Sequence, residues 1–135
     1  EIGDQTLVEL VRQTRSALRA SDCIGRLGGD EFMLCLPDMP SEAAIEKKAA
    51  LLCPLLRLPL AVDCTLSVSI GVAVYPRDGL SFSELYRKAD MALYHIKSIG
   101  RDGFAFFHQG MEEPPADEPA AGGDSPSLTP PGTAP

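Results

Sequence analysis

The run Gly28-Gly29-Asp30-Glu31 carries the most chemical content in this 135-residue sequence. Two glycines let a backbone approach a ligand closely or take positive φ, and two adjacent carboxylates at a hairpin tip are costly unless they bind a cation or face water. Neighbouring side chains in a strand point to opposite faces, but a turn relaxes that rule, so Asp30 and Glu31 could serve one metal-phosphate site. An ordinary glycine-led hairpin with solvated acids is the other reading of the same residues, because two-residue glycine turns are common. Elsewhere the chemistry is sparse. Cys23, Cys35, Cys53 and Cys64 lack the paired spacing of a zinc site or redox motif and read as reduced, small core residues. His95 and His108 have no suitably spaced second ligand and receive no chemical role.

The elements that must position the run follow from periodicity. Leu7, Val11, Thr14 and Leu18 recur at three and four residues after Asp4, a possible cap, and predict an amphipathic helix over residues 4–20. The short apolar runs 23–27 and 32–36 flank the glycines and predict a β-hairpin. Ser41 can cap a helix stopped near Pro54, and a second hairpin is expected from strands over 60–62 and 66–75, the latter β-branched and central in a sheet. Ser81-Phe82-Ser83-Glu84 has capping-box spacing, Leu85, Ala89, Leu93 and Ile96 form an apolar core stripe, and Gly100 is a helix stop before a closing strand over 104–107. This order of elements predicts an α+β sandwich with helices beside a largely antiparallel sheet, to which a strand before residue 1 would add the first member of a βαββαβ core.

Size and charge set the outer limits. The chain has room for one core. Residues 111–135 hold seven of the twelve prolines and five acids with no Lys or Arg, so they are expected to be a disordered tail behind a domain over residues 1–110. Those five acids account for most of the net charge of −7 and leave the domain at −2. That balance argues against general affinity for DNA or RNA, yet a local cluster of cations could still hold a nucleotide. No apolar run approaches the roughly 20 residues that span a bilayer and no secretory leader opens the chain, so a cytoplasmic location is expected. The first residue, Glu1, suggests a fragment or processed product.

Read with its surroundings, Arg26-Leu27-Gly28-Gly29-Asp30-Glu31-Phe32 resembles the signature of the GGDEF family of bacterial diguanylate cyclases. The resemblance spans residues 1–108. It includes Gly3-Asp4, Arg19-x-x-Asp22, Ser69-Ile70-Gly71-Val72-Ala73, Ala89-Asp90-Met91-Ala92-Leu93-Tyr94 and Lys97-Ser98-Ile99-Gly100-Arg101. Ordered matches at fitting intervals are far more specific than a five-letter motif.

The resemblance implies a ferredoxin-like, nucleotidyl-cyclase palm fold. It also implies a reaction in which a homodimer, one GTP on each subunit, joins two GTP into cyclic di-GMP and releases two pyrophosphates. Asp30 is then the expected metal ligand and general base, with Glu31 a second carboxylate on Mg²⁺ or Mn²⁺. Gly28 and Gly29 would give the nucleotide room. Asp4 corresponds to a position that reads the guanine edge, besides its possible cap. Lys97 and Arg101 resemble the cations on the terminal phosphates, solvated surface cations being the alternative. Arg19 and Asp22 correspond to the inhibitory site for the cyclic di-GMP product, a local surface ion pair being the alternative. The family's first strand, with a metal-binding aspartate, and the loop after it have no counterpart here, so the isolated chain is expected to be inactive. A GTP- or cyclic-di-GMP-binding regulatory module without turnover is the competing expectation.

Overall fold

The computed structural model describes residues 3–28, 31–100, 102–115 and 127–129. Helix α1 (Asp4–Ser16) starts from Gly3, whose extended backbone is the N-cap without any side-chain capping bond. Asp4 is therefore not the cap. It is the first helical residue, where its charge complements the helix dipole. The helix is also shorter than the periodicity predicts: the Ala17 N–H bonds to the Thr14 carbonyl and the Asp22 N–H to the Arg19 carbonyl, so a turn over residues 19–22 replaces the last helical turn. Strands β1 (Cys23–Gly28) and β2 (Glu31–Cys35) form the expected antiparallel hairpin, from Cys23 opposite Cys35 to Gly28 opposite Glu31, with an irregularity between Arg26 and Gly28.

Helix α2 (Glu42–Leu55) is capped by Ser41, whose hydroxyl accepts the Ala44 N–H at 3.1 Å. Strands β3 (Leu58–Ala61) and β4 (Cys64–Leu66) make the second hairpin. The strand predicted over 66–75 is divided, because the chain changes partner at Ser67 and Val68. β4 pairs with β3, whereas β5 (Ser69–Val72) pairs with β6 (Gly103–Phe106). The β5–β6 pair is parallel, and among the described residues β5 lies beside β6 alone rather than at the centre of a continuous sheet. Parallel neighbours need a crossover, and α3 (Phe82–Ile99) supplies it, entered through Ser81 accepting the Glu84 N–H and left through Gly100 at φ 151°.

Two apolar clusters hold these elements. Leu10, Leu52, Leu56 and Leu58 are buried together with Phe32, Leu34, Val68 and Ile70 against them, which joins α1 and α2 to the strands. Met91, Ala92, Phe107 and Met111 form the second cluster, on α3. Gly71 lets β5 lie against α3: a Cβ there would sit 2.3 Å from the Ala89 carbonyl oxygen and 2.4 Å from the Leu93 nitrogen. The loop before α3 is tied by Asp78, which accepts the Val74 N–H at 2.7 Å and pairs with Arg77, itself paired with Glu42.

Two pieces of the segment expected to be disordered have definite places. Met111 is buried in the second cluster. Strand β7 (Ser127–Thr129) pairs antiparallel with β1, Gly25 opposite Leu128, which gives the three-stranded order β2-β1-β7. Of the four cysteines, Cys53 is buried as expected, Cys23 and Cys35 are half-buried, and Cys64 is exposed on β4.

Candidate functional site

The hairpin tip and α3 meet at Glu31. Gly28 pairs with Glu31, with Gly29 and Asp30 between them in sequence. Glu31 Oε1 accepts a hydrogen bond from Lys97 Nζ at 3.1 Å, the two side chains being 22% and 24% exposed. Lys97 is thus not a solvated surface cation: α3 carries it under the hairpin, where it offsets the carboxylate charge. The second oxygen, Glu31 Oε2, is buried without a hydrogen-bond partner among the described residues. A buried carboxylate oxygen without a donor is expensive, so a cation or hydrogen-bond donor brought to this atom would be stabilising.

Two neighbours of Glu31 were given no role from sequence. Burial pushes the Tyr86 phenol up, and the charges of Asp90 and Glu31 push it further. Tyr86, Asp90 and Lys97 recur at four and seven residues along α3, which puts them on one helical face toward the hairpin. That spacing was the available signal, masked because the apolar stripe of the same helix explains its amphipathicity.

The Arg19–Asp22 pair is built differently from a surface ion pair. The Asp22 side chain is fully buried and Arg19 is 38% exposed. Asp22 accepts the Arg19 backbone N–H at 2.8 Å and the guanidinium through Nη2 at 2.7 Å and Nε at 3.1 Å. Arg19 Nη2 also donates to the Pro37 carbonyl at 2.6 Å, beyond the other strand of the hairpin. Burial alone would raise the Asp22 carboxyl, but hydrogen bonds from Arg19 and the charges of Arg19 and Lys48 outweigh it and hold the group below the ordinary aspartate range.

The structure therefore brings together Glu31 with Lys97, and Arg19 with Asp22. Asp4 is exposed at the start of α1, and among the described residues no hydrogen bond or ion pair links it to Glu31 or Lys97. Gly29, Asp30 and Arg101 lie outside the described residues. Among the described residues no group of three or more His, Cys, Asp or Glu side chains is placed to hold a metal ion. The donor set fits a divalent cation to the extent of one hard oxygen, Glu31 Oε2, with its backbone joined directly to Asp30. No helix among the described residues is long and apolar enough to cross a membrane.

The chain is thus a small α+β domain with a carboxylate at a glycine-led hairpin, countered by a lysine from the crossover helix. The family described as "Diguanylate cyclase, GGDEF domain" matches residues 1–103, and this chain belongs to it. It is 40% identical over 114 residues to the bifunctional diguanylate cyclase/cyclic di-GMP phosphodiesterase MucR of Pseudomonas aeruginosa, covering 82% of this chain and 16% of that protein. It is 40% identical over 104 residues to the probable diguanylate cyclase DgcC of Escherichia coli K12, covering 76% of this chain and 28% of the other. The chain thus spans less than a third of the length of these relatives. Among solved structures it resembles the GGDEF domain of YfiN (TpbB) from Pseudomonas aeruginosa, with a TM-score of 0.72 at 31% identity over 79% of this chain and 69% of that one.

Proposed function

We propose that these residues are part of the catalytic domain of a diguanylate cyclase, which condenses two GTP into cyclic di-GMP and two pyrophosphates in a facing homodimer, the 135 residues alone being inactive. One observation carries the reading: Glu31 stands at the hairpin tip with one oxygen held by Lys97 and the other buried without a hydrogen-bond partner among the described residues. Asp30 and Glu31 would hold Mg²⁺ or Mn²⁺, which when bound supplies charge neutralisation at the α-phosphate and lowers the cost of deprotonating the attacking 3′-hydroxyl. Asp30 takes the hydroxyl proton. Lys97, which donates to Glu31, and Arg101 would face the terminal phosphates as cations. Gly28 and Gly29 admit the nucleotide against the backbone, and Asp4 accepts from the guanine edge. Arg19 and Asp22 bind product: the part-exposed guanidinium edge of Arg19, pre-oriented by Asp22 and Pro37, meets a phosphate of cyclic di-GMP.

The test is cyclic di-GMP formation from GTP and Mg²⁺ by the native protein that carries these residues. Asp30→Ala and Glu31→Ala are each expected to lower turnover roughly 10²- to 10⁴-fold, and Arg19→Ala to abolish product inhibition while sparing turnover. Unchanged turnover after both carboxylate substitutions would overturn the assignment.

A regulatory module that binds GTP or cyclic di-GMP without turnover is the second reading. It is favoured by relatives named as cyclic di-GMP phosphodiesterases, such as NbdA of Pseudomonas aeruginosa. Binding of either nucleotide with no cyclic di-GMP produced under the same conditions would establish it.

A further inference from the structure

Cys23 and Cys35 stand directly opposite one another in the antiparallel register at the root of the β1–β2 hairpin. Opposed antiparallel residues hold their Cα atoms about 4.5 to 5.5 Å apart, within the roughly 4.4 to 6.8 Å over which a disulfide closes without backbone movement. Opposed side chains also share one face of the sheet. The adjacent pair, Ile24 and Leu34, points to the other face, where Leu34 packs on the Leu10–Leu52 cluster. Both cysteines are free and only half-buried. Burial pushes the Cys35 thiol up and the nearby Cys23 thiol pushes it further.

We propose that Cys23 and Cys35 are an oxidisable pair that closes to a cross-strand disulfide, a modification site at the root of the hairpin whose tip carries Glu31. The oxidant is a low-molecular-weight disulfide of the glutathione class. The Cys23 thiolate attacks one of its sulfurs and expels a thiolate, leaving a mixed disulfide on Cys23. The Cys35 thiolate then attacks the Cys23 sulfur and expels the second thiolate. One S–S bond is broken and one formed, both cysteine protons are released to the expelled thiolates, and two electrons pass to the small disulfide. The new bond would lie beside the hydrogen bond from Arg19 to Pro37, which already ties the same two stretches of chain. Oxidation therefore converts a non-covalent clasp next to Asp22 into a covalent one.

The test needs only the 135-residue chain, equilibrated in glutathione buffers of graded potential, quenched with acid, alkylated and mapped. Trypsin cuts after Arg19, Arg26 and Lys47, which puts Cys23 on peptide 20–26 and Cys35 on peptide 27–47. In oxidising buffer these two peptides should appear joined and lighter by two hydrogens than their sum, separating again on reduction, while Cys53 and Cys64 are alkylated as before. The native chain should also favour the bond over the urea-unfolded chain by at least about tenfold, or about 30 mV for this two-electron couple. Equal preference in the native and unfolded chain would overturn the proposal. So would separate glutathione adducts on the two peptides, or a bond from either cysteine to Cys53 or Cys64.

Discussion

Glu31 and Lys97 are 66 residues apart, and what makes them partners is that each is three-quarters buried where the other needs an opposite charge. Such a pair couples energetically, in contrast to exposed pairs such as Arg12–Glu9, which contribute little. A double-mutant cycle of Glu31→Gln and Lys97→Met, followed by urea unfolding, should return a coupling of about 0.5 to 3 kcal/mol. Additive single effects would mean that Lys97 belongs to solvent. Asp22 allows a second prediction, with a pH sign. Its carboxyl is held below the ordinary range in the folded chain, so its contribution is fully present above the unfolded pKa of about 3.9 and is lost as pH falls through the folded value. Asp22→Asn should cost about 1.5 to 3 kcal/mol at neutral pH, the scale of hydrogen bonds to a charged group. The gap between the two proteins should narrow only below about pH 4. A gap that closed nearer neutrality would point to a different titrating group.

At the scale of elements, β5 lies close against α3, strand backbone meeting helix backbone at Gly71. Neither partner atom, the Ala89 carbonyl oxygen nor the Leu93 nitrogen, is the movable end of a side chain. Gly71→Ala should therefore cost at least the roughly 1 to 3 kcal/mol of an overpacked core, read as a lower urea midpoint with unchanged slope. An unaffected midpoint would show that β5 and α3 part easily. The helix caps were legible in the sequence since Ser41 and Ser81 act through neighbours three residues on. The β1–β2 hairpin was legible from its glycines, and with it Glu31. What was not legible depends on distant partners. No local property of residues 66–75 announces that the chain leaves β3 at Ser67 to join β6. Likewise α1 stops early because Asp22 and Pro37 claim Arg19, and the face formed by Tyr86, Asp90 and Lys97 has meaning only once Glu31 is brought to it.

For the molecule as a whole, composition marks everything after residue 110 as tail, yet the two apolar clusters do not respect that boundary. Phe107 bonds back to the Val72 carbonyl at 2.7 Å, the chain turns, and Met111 enters the cluster on α3 with Met91 and Ala92. Glu113 then pairs with Arg87 at 2.7 Å. Proline and acid content reports the average solvation of a segment and is blind to one methionine that completes a core. Farther on, β7 contributes backbone bonds along β1 over Ile24, Gly25 and Arg26. These two attachments should separate in a truncation series. A chain ending at residue 115 loses β7 and keeps Met111, so amide exchange should quicken at residues 24–26 while the stability stays within about 0.5 kcal/mol of the full chain. A chain ending at residue 110 also loses Met111 and uncovers Met91, and should be less stable by about 2 to 5 kcal/mol, the cost of removing a buried methionine side chain. For a domain of this size that is a fall of several degrees in Tm. If the two truncations melted together at the full-length temperature, Met111 would have no part in the core, and the folded unit would end at β6.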